Sequence, residues 1–172
     1  LSVDQDAFRT LMNEQRQRAK ADARAKKGGV TQTEAYQVLR AEGETPFLGY
    51  TELGAETKVR GLIADGESVT SAPAGSIVEV VLAETPFYAE SGGQVGDTGV
   101  LDSVNGNAAV TEVKKIAGKM FCHKATVNSG VLKVGDKVEA IVDASARKQT
   151  ESHHSATHLL QAALQNVIGD HV

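Results

Sequence analysis

A single cysteine, Cys122, rules out an internal disulfide and fits a reducing compartment. Aromatic residues make up only 4% of the chain and tryptophan is missing, which argues against a base-stacking platform of the single-strand-binding kind. No apolar run approaches the length of a membrane span, and the first residues lack the pattern of a secretory signal. There is no excess of positive charge either: 18 basic against 22 acidic residues give −4 at pH 7. Any nucleic-acid contact must therefore come from local basic patches. What remains, 172 residues at 41% apolar content, suits one medium domain, or one domain with an appendage.

Residues Asp4 to Lys27 read as a helix, with acidic residues at its start and Lys26-Lys27-Gly28-Gly29 as a basic end and glycine stop. Its apolar content (Phe8, Leu11, Met12) is front-loaded, so the rear half is expected to be a solvated or partner-facing rod. A second helix is expected from Thr33 to Ala41. From Phe47 to Asp143 the pattern changes to short strands at 47–53, 58–64, 76–83, 98–104, 108–116, 119–127 and 137–142, separated by turn signals. Asn105-Gly106 is the strongest hairpin mark, because a type I′ turn needs positive φ at both central residues. Short strands without intervening helices argue a small antiparallel barrel or sandwich.

Two strings carry candidate chemistry. Ser152 to Leu164 reads as a helix approached through Arg147, with Ala156, Leu160, Ala163, Leu164 and Val167 on one apolar stripe. His154 and His158 stand one turn apart on another face, with Thr157 on the flank between. Such a pair can offer two nitrogens to zinc, or can simply be solvated or bound by a partner. A zinc protease of the H-E-x-x-H type is excluded, since Ser155 occupies the place of the glutamate base. The second string, Glu84 to Gly99, contains Gly92, Gly93, Gly96 and Gly99, a backbone able to approach a ligand closely. It matches neither the dinucleotide nor the P-loop pattern, and a plain strand-to-strand loop reads equally well. Pro86-Phe87-Tyr88 is expected to anchor it by burying aromatic surface.

Together, Thr85-Pro-Phe-Tyr-Ala-Glu-Ser-Gly-Gly-Gln-Val-Gly-Asp97 and His154-Ser-Ala-Thr-His158-Leu-Leu resemble the editing region of alanyl-tRNA synthetases, and the resemblance spans nearly the whole chain. It implies a mainly β fold with flanking helices (α+β). A linker helical segment over 1–45 would precede a small antiparallel β-barrel of the translation-protein type over 46–145. Residues 146–172, with the C-terminal helix, would then be the first part of a truncated α/β editing core. It implies cytoplasmic alanine–tRNA ligation, with ATP and Mg2+ used by a catalytic domain outside this chain. It also implies hydrolysis of tRNA(Ala) mischarged with serine or glycine. The partners would be that tRNA and the remainder of the parent synthetase, with no membrane. His154 and His158 map onto zinc ligands. Thr157 maps onto a hydroxyl-bearing pocket residue, and Gly92, Gly93 and Gln94 onto the glycine motif; no catalytic group is identified. His153 stands where the family often has asparagine, and is taken as a helix-start residue.

The chemistry has a physical basis: a small apolar pocket discriminates by only about 1–3 kcal/mol, so a second, hydrolytic site must remove errors. The family's downstream C-x-x-x-H pair is missing from this sequence. Cys122 cannot replace it, because Thr126 stands four residues on. His171 is a weak spare ligand. The fragment alone is therefore expected to bind zinc weakly or not at all, and to be inactive. Two alternatives are a non-catalytic module positioning tRNA through Lys114, Lys115, Lys119, Lys124 and the N-terminal arginines, and a piece of a free-standing mischarged-tRNA deacylase. The N-terminal linker helix disfavours the latter.

Overall fold

The computed structural model describes residues 12–17, 34–116 and 119–169. Residues 12–17 are helical and, apart from half-buried Met12, exposed; the rest of the expected 4–27 helix, and His171, lie outside the described residues. Helix α1 (Glu34–Ala41) is followed by β1 (Gly54–Ala64), β2 (Glu67–Val69), β3 (Ser71–Pro73), β4 (Ile77–Leu82), β5 (Gly99–Ser103), β6 (Gly106–Ile116), β7 (Met120–Lys133) and β8 (Lys137–Val142). Helix α2 (Ala144–Ile168) ends the described chain.

All strand pairings are antiparallel. The order β1-β4-β7-β6-β5-β8 closes on itself through Gly54↔Ile141 to Lys58↔Lys137, giving a six-stranded barrel. Closure removes the free strand edges an open sheet would expose. The short strands β2 and β3 extend β1 and β7 at the rim. Inward positions alternate along each strand. Val78, Val80 and Leu82 of β4 and Phe121, Ala125 and Val127 of the neighbouring β7 point into one core. Ala108, Ala125 and Ala140 are fully buried, and their small size suits the narrow bore of so few strands. Outward positions form a second cluster: Tyr36 and Leu39 of α1 cover Ile63, Val81, Ile116, Met120 and Cys122.

Several details depart from the sequence expectations. Residues 47–53 form no strand: Phe47 makes one isolated bridge to Thr85, and the chain turns through Thr51 N–H donating to the Leu48 carbonyl at 3.2 Å. The Gly49 backbone is wedged against the Pro86 carbonyl, where a Cβ would stand 2.3 Å from the oxygen. The β5–β6 hairpin exists, but Ser103 pairs Gly106, so its loop is Val104-Asn105, and neither residue has positive φ. The type I′ signature sits instead at Asp65-Gly66, with φ of 51° and 84° between paired Ala64 and Glu67. Asn128 to Gly130, expected as a turn, lies inside the long strand β7. The pairing with β6 shifts there, and Gly130 takes φ 68°, so an expected break is a bulge.

Helix α2 starts earlier than expected. Asp143 caps it, its carboxylate accepting from Ser145 N and Ala146 N at 2.9 and 3.0 Å. Arg147 therefore belongs to its first turn and not to an approach segment. No residue of α2 is buried, and Leu159, Leu160 and Val167 are 72%, 61% and 84% exposed. The apolar stripe is uncovered among the described residues.

Candidate functional site

The segment between β4 and β5 is mostly built inward. Thr85, Phe87 and Ala89 are fully buried, so the motif's opening is a plug in the barrel mouth. His123 lies under it, fully buried. Its Nδ1 must donate to the Val80 carbonyl at 2.9 Å, because a carbonyl only accepts. Its Nε2 then accepts from the Thr85 hydroxyl at 2.8 Å, and that hydroxyl accepts from Phe87 N–H at 3.1 Å. Phe87 meets the imidazole edge-on at 5.4 Å. Burial pushes the His123 pKa down to about 4, despite the bond to Val80, and keeps it neutral. The expected aromatic anchor is thus chiefly Phe87, with Tyr88 half-buried.

Only the tip of the segment is exposed. Ser91 and Gln94 exchange backbone hydrogen bonds at 3.2 and 3.0 Å around Gly92 (φ 61°) and Gly93 (φ 84°), which makes Ser91–Gln94 a tight turn of the I′ kind. Open space surrounds both glycines: a Cβ at either meets nothing within 4 Å. They line a groove of about 970 Å³ together with Glu79, Lys114, Cys122 and Lys124. Gln94 is half-buried.

Cys122 and His123 point to opposite sides of β7, as neighbours on a strand must. The Cys122 thiol donates to Glu79 at 3.0 Å, and Tyr36 hydroxyl donates to the same oxygen at 2.5 Å. Burial, then the Glu79 charge, pushes the thiol pKa well up, so this cysteine is an inert core residue.

On α2, His154 and His158 are both exposed, with ring centroids 4.7 Å apart and Nε2 atoms 3.1 Å apart. The predicted pair is thus formed and accessible on one face. His153 is exposed on the same helix, inside it and not at its start. The Thr157 hydroxyl donates back to the His153 carbonyl at 2.9 Å, a common resting position for a helical threonine. His154 and His158 do not line the groove that holds the glycine turn. A smaller groove of about 530 Å³, bounded by Glu90, Gly96, Asp97, Thr98, Ala146 and Thr150, lies where the root of α2 meets the loop.

Sequence reasoning missed the residue that joins these parts. Arg147 Nε donates to both Asp97 carboxylate oxygens at 2.8 and 3.0 Å, Nη1 to the Gly49 carbonyl at 2.9 Å, and Nη2 to the Pro86 carbonyl at 2.9 Å as well as to Asp97. Asp97 also accepts from Tyr88 N–H at 2.6 Å. The side chains of Arg147 and Asp97 are 11% and 6% exposed, and the Asp97 carboxylate raises the guanidinium pKa. The only sequence signal was an arginine near the start of a helix.

Of the lysines considered for tRNA positioning, Lys114 pairs with Glu112 at 2.5 Å, Lys119 pairs with Glu44 at 3.0 Å, and Lys115 stands 5.0 Å above the Phe121 ring. Lys124 stands opposite Glu79 and Glu112 in register. Two of these cations, Lys114 and Lys119, are thus offset by carboxylates. Among the described residues no helix is long and apolar enough to cross a membrane.

A family model described as tRNA synthetases class II (A) matches residues 1–146, and the chain belongs to that family. Curated relatives narrow the class. An alanine–tRNA ligase of Cutibacterium acnes is 49% identical over 169 residues, covering 98% of this chain and 19% of the relative. One from Desulfitobacterium hafniense is 47% identical over 173 residues, covering 100% and 20%. Within its class the sequence is therefore that of an alanyl-tRNA synthetase segment, spanning about a fifth of the length of the relatives it matches.

Proposed function

We propose that this segment belongs to the part of an alanine–tRNA ligase that hydrolyses tRNA(Ala) mischarged with serine or glycine. The observation that carries the reading is the exposed His154–His158 pair, its Nε2 atoms 3.1 Å apart on a helix rooted beside the glycine-bearing loop. In kind, the two imidazoles suit zinc; in number they do not. Among the described residues no group of three or more histidine, cysteine or acidic side chains is placed to hold a metal, whereas an open zinc site takes three protein ligands. The residues present do not fit the ion by themselves.

The chain's own groups suggest a division of labour. No neighbour crowds the Cβ positions of Gly92 and Gly93, so an aminoacylated end can approach this backbone closely and take hydrogen bonds from its amides to an ester or phosphate oxygen. Thr157, released from its bond to His153, offers a hydroxyl to the serine side chain. The ligase activity, with ATP and Mg2+, is assigned to parts of the synthetase outside this chain, and tRNA(Ala) is its partner by the same reading. A purely positioning role is less well supported, since most of the candidate lysines already have local partners.

The test is deacylation of seryl-tRNA(Ala) by a full-length alanine–tRNA ligase carrying this sequence. Loss of deacylation in His154→Ala, with alanylation retained, is the expected result. Undiminished deacylation would remove the histidine pair from the reaction.

A further inference from the structure

Helix α2 presents a mechanical problem. It is 25 residues long, buries none of its side chains, and yet carries the histidine pair whose placement matters. Its attachment to the barrel is clearest at the root. There, Asp143 N–H donates to the Thr98 carbonyl at 2.8 Å, the Asp143 cap holds the first amides, and Ala146 and Thr150 border the small groove. The Arg147 side chain reaches across from the helix to the rest of the fold. The Arg147 guanidinium engages Asp97 at the end of the glycine-bearing loop, the Pro86 carbonyl at its beginning, and the Gly49 carbonyl of the segment leading into the barrel. Asp97 is itself held by Tyr88, through its carboxylate and through its own N–H bonded to the Tyr88 carbonyl at 2.9 Å. A planar fork bonded to three separate segments fixes direction as well as distance, which a single ammonium cannot do.

We propose that Arg147 is the positioning residue that sets the direction of α2, and with it the station of His154 and His158 relative to the Gly92–Gly93 turn. The functional half of this statement rests on the editing reading above; the geometric half does not. Arg147 touches no reacting group. It acts through the helix that it aims and the loop that it clasps at both ends.

The experiment uses spin labels on the whole 172-residue chain. Cysteines introduced at Val95, on the loop, and at Leu159, on the helix, are both at well-exposed positions. A second pair at Ile77 and Val104, exposed on the barrel, reports whether the barrel is intact. The native Cys122 is buried and does not compete for label. Pulsed dipolar spectroscopy is expected to give a narrow Val95–Leu159 distance in the parent sequence. In Arg147→Lys that distance should broaden or shift, with the Ile77–Val104 distance unchanged. Asp97→Asn, which keeps an acceptor oxygen, should broaden it less. A Val95–Leu159 distribution identical in all three proteins overturns the proposal. In a full-length synthetase, Arg147→Lys is further expected to lower kcat for seryl-tRNA deacylation at least tenfold with KM little changed; a change in KM alone would count against positioning. A synthetase that lacks deacylation before any substitution defeats the editing reading, while the spin-label result still decides the role of Arg147.

Discussion

At the scale of the residue, His123 couples stability to pH. The unfolded chain takes up a proton on this imidazole near pH 6.5, whereas the folded protein resists protonation down to about 4. The folded pKa is depressed, so the unfolded state binds the extra proton between these values, and stability falls as pH falls through that window. Above about pH 6.5 the contribution is fully present; below about 4 both states are protonated and this group removes nothing more. A shift of this size corresponds to about 3 kcal/mol. His123→Gln is expected to be less stable than the parent at pH 7.5, yet to show a flatter pH dependence between 6.5 and 4 in urea titrations. An unchanged slope would mean that other groups govern acid sensitivity. Burial is what keeps His123 neutral, and the partners that enclose it, Val80 and Thr85, are far away in sequence, so no local pattern could have announced it.

At the scale of the element, two predictions follow from how strands and helices are held. A Cβ on Gly99 would stand 2.1 Å from the Ile141 carbonyl, at the β5–β8 pairing that helps close the barrel. Backbone cannot move aside as a flexible side chain can. Gly99→Ala is therefore expected to cost at least the roughly 1–3 kcal/mol typical of an overpacked core, seen as a lowered urea midpoint. A value within error of the parent would show that the seam yields. The second concerns α2, a helix that buries no residue, and helices that lack a buried face are only marginally stable in water. Hydrogen–deuterium exchange should leave its amides beyond Thr150 weakly protected while β4 and β7 stay protected to the global limit. Equal protection in both would show that the helix is held by more than its first turns.

At the scale of the whole molecule, the metal content is the sharpest question. With two imidazoles and no third donor among the described residues, the purified chain is expected to take up zinc weakly and substoichiometrically. Its melting temperature should not move on adding EDTA. Tight, equimolar zinc, measured by elemental analysis after dialysis, would contradict this. The same scale explains what the sequence could and could not reveal. Alternation of apolar residues exposed most of the barrel strands, because a half-buried strand repeats every two residues. It missed β2 and β3, which are too short to show a period. It misread Phe47 to Leu53, where Phe47 stacks on Phe121 and makes one isolated bridge to Thr85 but the backbone turns before any ladder forms. It took Asn128 to Gly130 for a turn where a bulge absorbs the same residues. The histidine pair was legible because its geometry is local to one helix. The Arg147 clasp was not, since Gly49, Pro86 and Asp97 converge only after the barrel closes.

The seam between β1 and β8 carries one more implication. Gly54 opens β1 and stands beside Ile141, next to the end of β8, while Val142 N–H bonds the Leu53 carbonyl at 2.8 Å. The polypeptide thus enters and leaves the barrel at the same rim. Tension applied through these two leads would peel the bonds apart in succession, like a zip, and would not load them all at once in shear. Pulled by its neighbours in a longer protein, this barrel should give way at low force, from the rim where α2 is attached.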